Sequence, residues 1–216
     1  MEVKKLERDV NYRILKKHNL LLKRAIDLVV STFVLTTIFP IVFIVVAPLI
    51  KLSSKGPVFF TQERHGKNKR KFVCYKFRTM IVTPREIADQ LQATKNDPRV
   101  TPVGLFLRKT GLDELPQFIN VFKGDMSIVG PRPHPIPLDE KFENLIEGYE
   151  KRFLVKPGIT GWAQVNGWRG ETPTVDIMRK RVEHDIWYIE NWSVWLDIKI
   201  MLKTVFSMLG MDPKAY

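Results

Sequence analysis

The chain has one cysteine, Cys74, among 216 residues. An intrachain disulfide and a zinc cage of several thiolates are therefore excluded. Acid is also scarce: 23 Asp and Glu stand against 35 Lys and Arg, a formal net charge of +12. Such an excess calls for a polyanionic partner, and nucleic acid, anionic lipid headgroups and phosphorylated substrates all qualify. No G-x-G-x-x-G, Walker lysine loop, G-x-S-x-G elbow or H-E-x-x-H occurs, which removes the commonest dinucleotide, P-loop, hydrolase and zinc-protease signatures. The histidines His18, His65, His134 and His184 lack metal-ligand spacing and read as structural or solvated. There is no internal repeat and no low-complexity linker, and the length suits one domain.

Charge is wholly missing from residues 28 to 50, a run long enough to cross a bilayer core, which takes about 20 apolar residues as a helix. An ordinary span is the plain reading, and two details argue against it. Pro40, near the middle, removes a backbone donor and kinks a helix, and the Thr36 and Thr37 hydroxyls lie within reach of the freed carbonyls. Basic residues flank both ends: Lys16, Lys17, Lys23 and Arg24 before, then Lys51, Lys55, Arg64, Lys67, Lys69, Arg70 and Lys71 after. Positive flanks mark the cytoplasmic side, so both ends claim it, and a re-entrant, proline-broken helix over residues 25–52 satisfies both. No small-residue cleavage site follows, so it is not a cleavable signal. The membrane segment favours lipid headgroups and a phosphorylated substrate over nucleic acid as the polyanion.

Residues 1–24, with Leu6, Val10, Ile14, Leu20 and Leu21 among charges, read as a basic amphipathic helix on the membrane surface. Residues 53–216 read as the cytoplasmic domain. Ser53 to Pro57 is a turn, and the β-branched and aromatic runs at 58–62 and 71–77 form a hairpin. Helices are expected over 84–95, 102–109, from about Asp113 with Pro116 in the first turn, and over 139–153 with Phe142, Ile146, Tyr149 and Phe153 on one face. Residues 156–161 read as loop. The helical tail at 174–210 carries Trp187, Tyr188, Trp192 and Trp195, which suit either the headgroup level or the core. The expected fold is α+β and mainly helical, with a small hairpin sheet and surface amphipathic helices.

Asp113 and Glu114 are the most informative polar pair. Adjacent helical residues diverge by about 100°, so the two would not face each other, yet at a helix start they can share a site, one carboxylate toward a substrate atom and one toward a metal. The plain alternative is an N-cap followed by a favourable first-turn acid. Arg108 and Lys109 stand just upstream, and Arg132 is held between Pro131 and Pro133, stiffened for bidentate phosphate recognition. On a strand through Tyr75 to Met80, Lys76 and Arg78 would share one face and Tyr75 and Phe77 the other. An edge strand with a wet basic face is the simpler reading of that motif.

The apolar segment with Pro40, the Tyr75 to Met80 motif, Leu112-Asp113-Glu114-Leu115-Pro116-Gln117, Lys123-Gly124-Asp125-Met126-Ser127, Gly130-Pro131-Arg132-Pro133 and the run from Lys156 to Gly167 together closely resemble the bacterial sugar transferases. These are monotopic phosphoglycosyl transferases that begin lipid-linked glycan assembly. Gly167 to Thr172 and the closing Lys214-Ala215-Tyr216 look most like the undecaprenyl-phosphate glucose phosphotransferases of exopolysaccharide and capsule pathways. The resemblance implies transfer of a sugar 1-phosphate, glucose 1-phosphate foremost, from a UDP-sugar to undecaprenyl phosphate with release of UMP.

It further implies Asp113 as nucleophile through a covalent aspartyl phosphosugar, Glu114 with Asp113 holding Mg²⁺, and Arg108, Arg132, Lys76 and Arg78 as phosphate or substrate ligands. The bacterial inner membrane is the expected location, with the domain on the cytoplasmic face against anionic lipid; the oligomeric state, a homodimer included, is left open. Two departures stand out. Many glucose-type relatives carry further spanning helices upstream, and the family often has Ser before the membrane proline where this chain has Phe39. UDP-galactose or a UDP-N-acetyl-hexosamine remains an alternative donor, and a non-catalytic basic protein anchored at the membrane is the alternative from another class.

Overall fold

The computed structural model describes Val3, Val10 and residues 12–82 and 97–208. The helix expected over 84–95 and the closing Lys214 to Tyr216 lie outside the described residues.

In the expected N-terminal helix, the described part is a 3-10 turn at Arg13–Leu15 followed by a helix that starts only at Lys17. Ile14 is buried in the main core, so this turn is tied to the domain by packing. The membrane segment is helical throughout: α1 (Lys17–Phe33), a π turn (Val34–Ile38) and α2 (Phe39–Ser53). Pro40 does not end the helix. Where its missing N–H would interrupt the ladder, the turn widens, Phe39 donates to the Val34 carbonyl, and the threonine hydroxyls bond back to carbonyls, Thr36 to Thr32 (2.9 Å) and Thr37 to Phe33 (2.6 Å).

The helix runs 37 residues, Lys17 to Ser53, about 55 Å at 1.5 Å per residue. Only 17% of its most apolar window is buried within the protein, so it is not a core helix. Val29, Phe33, Ile41, Ile44 and Leu52 are exposed along it. By length, composition and exposure the helix is suited to a membrane.

One face of the helix nevertheless follows the domain. Lys23, Asp27, Ser31 and Val34 are buried in the first half and turn, and Val46 and Ile50 in the second. The antiparallel hairpin of β1 (Phe59–His65) and β2 (Lys71–Phe77), paired from Phe59↔Phe77 to His65↔Lys71, receives α2 through stacked rings: Phe39 on Phe77 at 6.0 Å and Phe43 on Phe59 at 5.7 Å. A helix α3 (Pro102–Thr110) closes this small core with Leu107.

After α3 come a 3-10 turn (Leu112–Glu114), α4 (Gln117–Lys123) and β3 (Ser127–Val129). The expected helix over 139–153 is two pieces, α5 (Ile136–Glu143) and a 3-10 segment (Tyr149–Leu154), parted by Gly148. Its four face residues are all buried, because both pieces pack on the same core. The stretch read as loop contains β4 (Gly158–Thr160), parallel to β3 with Ser127↔Gly158 and Val129↔Thr160. Three residues are too few for periodicity to reveal a strand. Then follow α6 (Trp162–Val165), α7 (Val175–Glu190) and α8 (Val194–Met208). The tail aromatics divide: Tyr188 and Trp192 are in the core, while Trp187 and Trp195 are exposed.

Candidate active site

The acid pair sits on a sharply defined corner. Thr101 caps α3, its hydroxyl accepting from the Gly104 amide at 3.0 Å, and Pro102 occupies the first turn. A Cβ on Gly104 would lie 1.9 Å from the Thr79 carbonyl oxygen, so only glycine lets α3 lie against the chain after β2. That approach brings Arg108 to the Thr79 hydroxyl, Nε to Oγ1 at 2.9 Å. Gly111 ends α3 in the left-handed region (φ 71°), and the chain turns through Leu112, Asp113 and Glu114 as a 3-10 turn. Asp113 is therefore not the cap of the next helix; Pro116 precedes α4 instead.

Asp113 and Glu114 live in opposite electrostatic conditions. Glu114 Oε1 accepts from Lys76 Nζ and Arg132 Nη2, both at 2.6 Å, and Oε2 accepts from Arg132 Nη1 at 3.2 Å. Burial alone would raise the Glu114 carboxyl, but the charges and hydrogen bonds of Arg132 and Lys76 outweigh it and hold the group well below the usual carboxylate range. Asp113 is buried, and among the described residues no group hydrogen-bonds to its carboxylate. Burial, with the neighbouring Glu114 charge, pushes it up to about 6 against the opposing pull of Lys76, Arg108 and Arg132. Among the described residues, one carboxylate is committed to cations and the other has no hydrogen-bond partner.

Arg132 is anchored from beneath. Its carbonyl accepts from Arg152 Nη2 at 2.7 Å, and Arg152 pairs through Nε with Asp185 at 2.9 Å. Below lie Tyr149, donating to Asp139 at 2.7 Å, and His134. Burial and the nearby Arg152 push His134 down to about 3, so it is neutral. On the hairpin side, Asn120 of α4 binds the free edge of β2, donating to the Val73 carbonyl (2.7 Å) and accepting from the Tyr75 amide (3.1 Å). This fixes Lys76 next to the acid pair.

The structure thus assembles Asp113, Glu114, Lys76 and Arg132, with Arg108 alongside. Arg78 is not among them. It follows the last residue of β2, turns the other way, and donates to the carbonyls of Ile50 (3.1 Å), Ser54 (2.7 Å) and Lys55 (2.6 Å). Strand alternation put it beside Lys76; the strand ends at Phe77, so alternation no longer applies. Sequence reasoning missed Thr79, Asn120 and Arg152. For the last two the signal is weak, since a polar residue inside a helical stretch looks solvated until its burial is known.

Among the described residues no group of three or more His, Cys, Asp or Glu side chains is placed to hold a metal ion. A metal at the acid pair would take at most two protein carboxylates and complete its shell from phosphate and water, the arrangement Mg²⁺ prefers. The open oxygens of Asp113 fit that role. Glu114 fits through Oε2, which accepts a single long hydrogen bond.

The site therefore gathers a buried carboxylate, Asp113, an ion-paired one, Glu114, and the cations Lys76, Arg108 and Arg132 beside a helix long and apolar enough to cross a membrane. Residues 18–211 match the bacterial sugar transferase family, and the chain belongs to it. It is 58% identical over 189 residues to the UDP-glucose:undecaprenyl-phosphate glucose-1-phosphate transferase of Escherichia coli (strain K12), covering 88% of this chain and 40% of that protein. A protein of the same name from Caulobacter vibrioides is 46% identical over 190 residues, 88% of this chain and 70% of the relative. The UDP-N-acetylgalactosamine-undecaprenyl-phosphate N-acetylgalactosaminephosphotransferase of Aeromonas hydrophila is 44% identical over 188 residues, 87% and 44% respectively. The chain therefore spans less than half the length of several relatives it matches.

Proposed function

We propose that the protein transfers a hexose 1-phosphate, glucose 1-phosphate first, from a UDP-sugar to undecaprenyl phosphate, releasing UMP, as the first membrane step of glycan assembly for exopolysaccharide, capsule or O-antigen. The observation that carries the reading is the buried Asp113 carboxylate, without a hydrogen-bond partner among the described residues, beside Lys76, Arg108 and Arg132. Its oxygen attacks the phosphorus bearing the sugar, the bond from that phosphorus to the UMP oxygen breaks, and UMP leaves. A phosphate oxygen of the polyprenyl acceptor then attacks the same phosphorus and Asp113 departs as carboxylate, so one difficult displacement becomes two.

Each attack brings an anion onto an anionic phosphorus, and Lys76, Arg108 and Arg132 offset that charge. Mg²⁺, held by Asp113 and Glu114, would add Lewis-acid neutralisation of the diphosphate. For Arg132 to bind phosphate, its pair with Glu114 has to loosen.

Membrane placement follows the same reading. Lys23, Arg24 and Asp27 near the start of the helix, and Ile50, Ser54 and Lys55 at its end, all bond to one domain. A straight span would carry one end roughly 30 Å away across the hydrocarbon, so the contacts support a monotopic, re-entrant arrangement, with the domain on the cytoplasmic face of the inner membrane against anionic headgroups. The Aeromonas relative favours a UDP-N-acetyl-hexosamine as the second donor reading.

The test is detergent-solubilised protein with undecaprenyl phosphate, Mg²⁺ and a panel of UDP-sugars. UMP release is expected, fastest with UDP-glucose. No UMP from any donor, together with salt-sensitive liposome binding indifferent to Asp113, would overturn the reading in favour of a non-catalytic membrane binder.

A further inference from the structure

Three polar side chains from two successive turns of α1, Lys23, Arg24 and Asp27, enter the domain. Arg24 donates to the last carbonyls of α4, Val121 at 2.6 Å and Phe122 at 2.8 Å, and α4 begins just after the acid pair. Lys23 reaches Asp197 at 2.7 Å and Tyr188 at 3.2 Å, and the Tyr188 hydroxyl lies 3.3 Å from the Val129 carbonyl. Asp27, only 3% exposed, accepts through Oδ1 from the Ser127 hydroxyl at 3.0 Å and the Ile128 amide at 2.9 Å.

β3 therefore has two unlike edges. Toward β4, Ser127 N donates to Pro157 O at 2.8 Å and Gly130 N to Thr160 O at 2.9 Å, while Pro131 O accepts from Gly158 N at 2.9 Å. The Ile128 amide points away from β4, as alternation along a strand requires, and its partner is the carboxylate of the membrane helix. Only Gly130 and Pro131 separate β3 from Arg132. Proline fixes one of those two residues, so displacement of β3 is passed on to the guanidinium that grips Glu114.

We propose that Asp27 is a positioning residue for Arg132: by clamping the outer edge of β3, the membrane helix sets where the phosphate-binding guanidinium stands. The site is then assembled by the seated helix, and the helix is part of the catalytic scaffold as well as the anchor. The catalytic consequence rests on the proposed transferase function; the clamp itself does not.

The experiment uses the full chain in nanodiscs. Asp27→Leu removes the acceptor and leaves a buried amide and hydroxyl unpaired, and it is expected to lower kcat/KM for UMP release about tenfold or more. Asp27→Asn retains an acceptor oxygen and is expected to restore most of that loss; an Asn variant as poor as Leu overturns the clamp. In a double-mutant cycle, Asp27→Leu added to Arg132→Gln is expected to cost little beyond Arg132→Gln alone. Losses that multiply in full overturn action through Arg132.

Amide hydrogen exchange supplies a readout that does not depend on turnover. Residues 127–132 are expected to exchange faster in Asp27→Leu, and in the milder Ser127→Ala should the first variant fail to fold. Unchanged exchange there overturns the inference whatever the activity. A wild-type protein that releases no UMP defeats the functional reading and leaves the exchange result to decide the clamp.

Discussion

Glu114 and Arg132 form a two-point ion pair, with Nη2 to Oε1 at 2.6 Å and Nη1 to Oε2 at 3.2 Å. Arg132 thus already has an anion, while the neighbouring Asp113 carboxylate has no hydrogen-bond partner among the described residues. On the proposed reading, Glu114 occupies in the free protein the place that a substrate phosphate would take at Arg132. Replacing Arg132 with lysine keeps the charge and loses the fork. Arg132→Lys is expected to raise KM for the UDP-sugar and lower kcat/KM about a hundredfold, read by UMP release.

Asp113→Asn removes the proposed nucleophile and is expected to abolish UMP release, a loss of about a thousandfold or more. Incubated with UDP-sugar in the absence of acceptor, the wild type should gain the mass of a phosphosugar on the peptide carrying Asp113. Retained turnover in the Asn variant would remove the assigned role.

The pH profile tests the same group differently. Only the ionised carboxylate attacks, so kcat/KM should fall with decreasing pH below about 6, where Asp113 titrates. Stability runs the other way. An acid whose pKa is higher folded than unfolded binds its proton more tightly when folded, so the folded state loses stability as pH rises from about 4 to 6. Asp113→Asn is expected to stabilise the protein at pH 7.5 by about 1 to 3 kcal/mol, and not at pH 3.5, in thermal unfolding.

Arg78 separates structure from catalysis. It is buried, with three helix-end carbonyls as acceptors, so Arg78→Leu is expected to destabilise the protein by about 3 kcal/mol while leaving KM for the UDP-sugar unchanged in the folded fraction. A raised KM with an unaltered unfolding midpoint would return Arg78 to the substrate site.

Cysteine labelling tests the membrane arrangement. The native Cys74 is buried, so the background is low. Lys17→Cys and Lys51→Cys, both exposed, are expected to react with an impermeant maleimide from the same side of sealed vesicles. Reaction from opposite sides would restore an ordinary span.

The sequence by itself determined the membrane segment, the hairpin, α3, the turn at Gly111 and the acid pair with its upstream arginine. These depend on hydrophobic runs, prolines, glycines and the order of neighbouring residues, which act locally. It also made Arg132 stand out, since two prolines around one arginine are visible in the chain. Only the tertiary structure decided which cations meet which acids. Lys76 and Arg78 are two residues apart, and one reaches Glu114 while the other caps the membrane helix, because β2 ends between them. The three-residue strands β3 and β4 left no periodic trace, and Asn120, Arg152 and Asp27 look like ordinary polar residues of helical stretches. Their meaning comes from burial, which turns an unremarkable amide, guanidinium or carboxylate into a group that must be bonded, and so into one that fixes the position of something else.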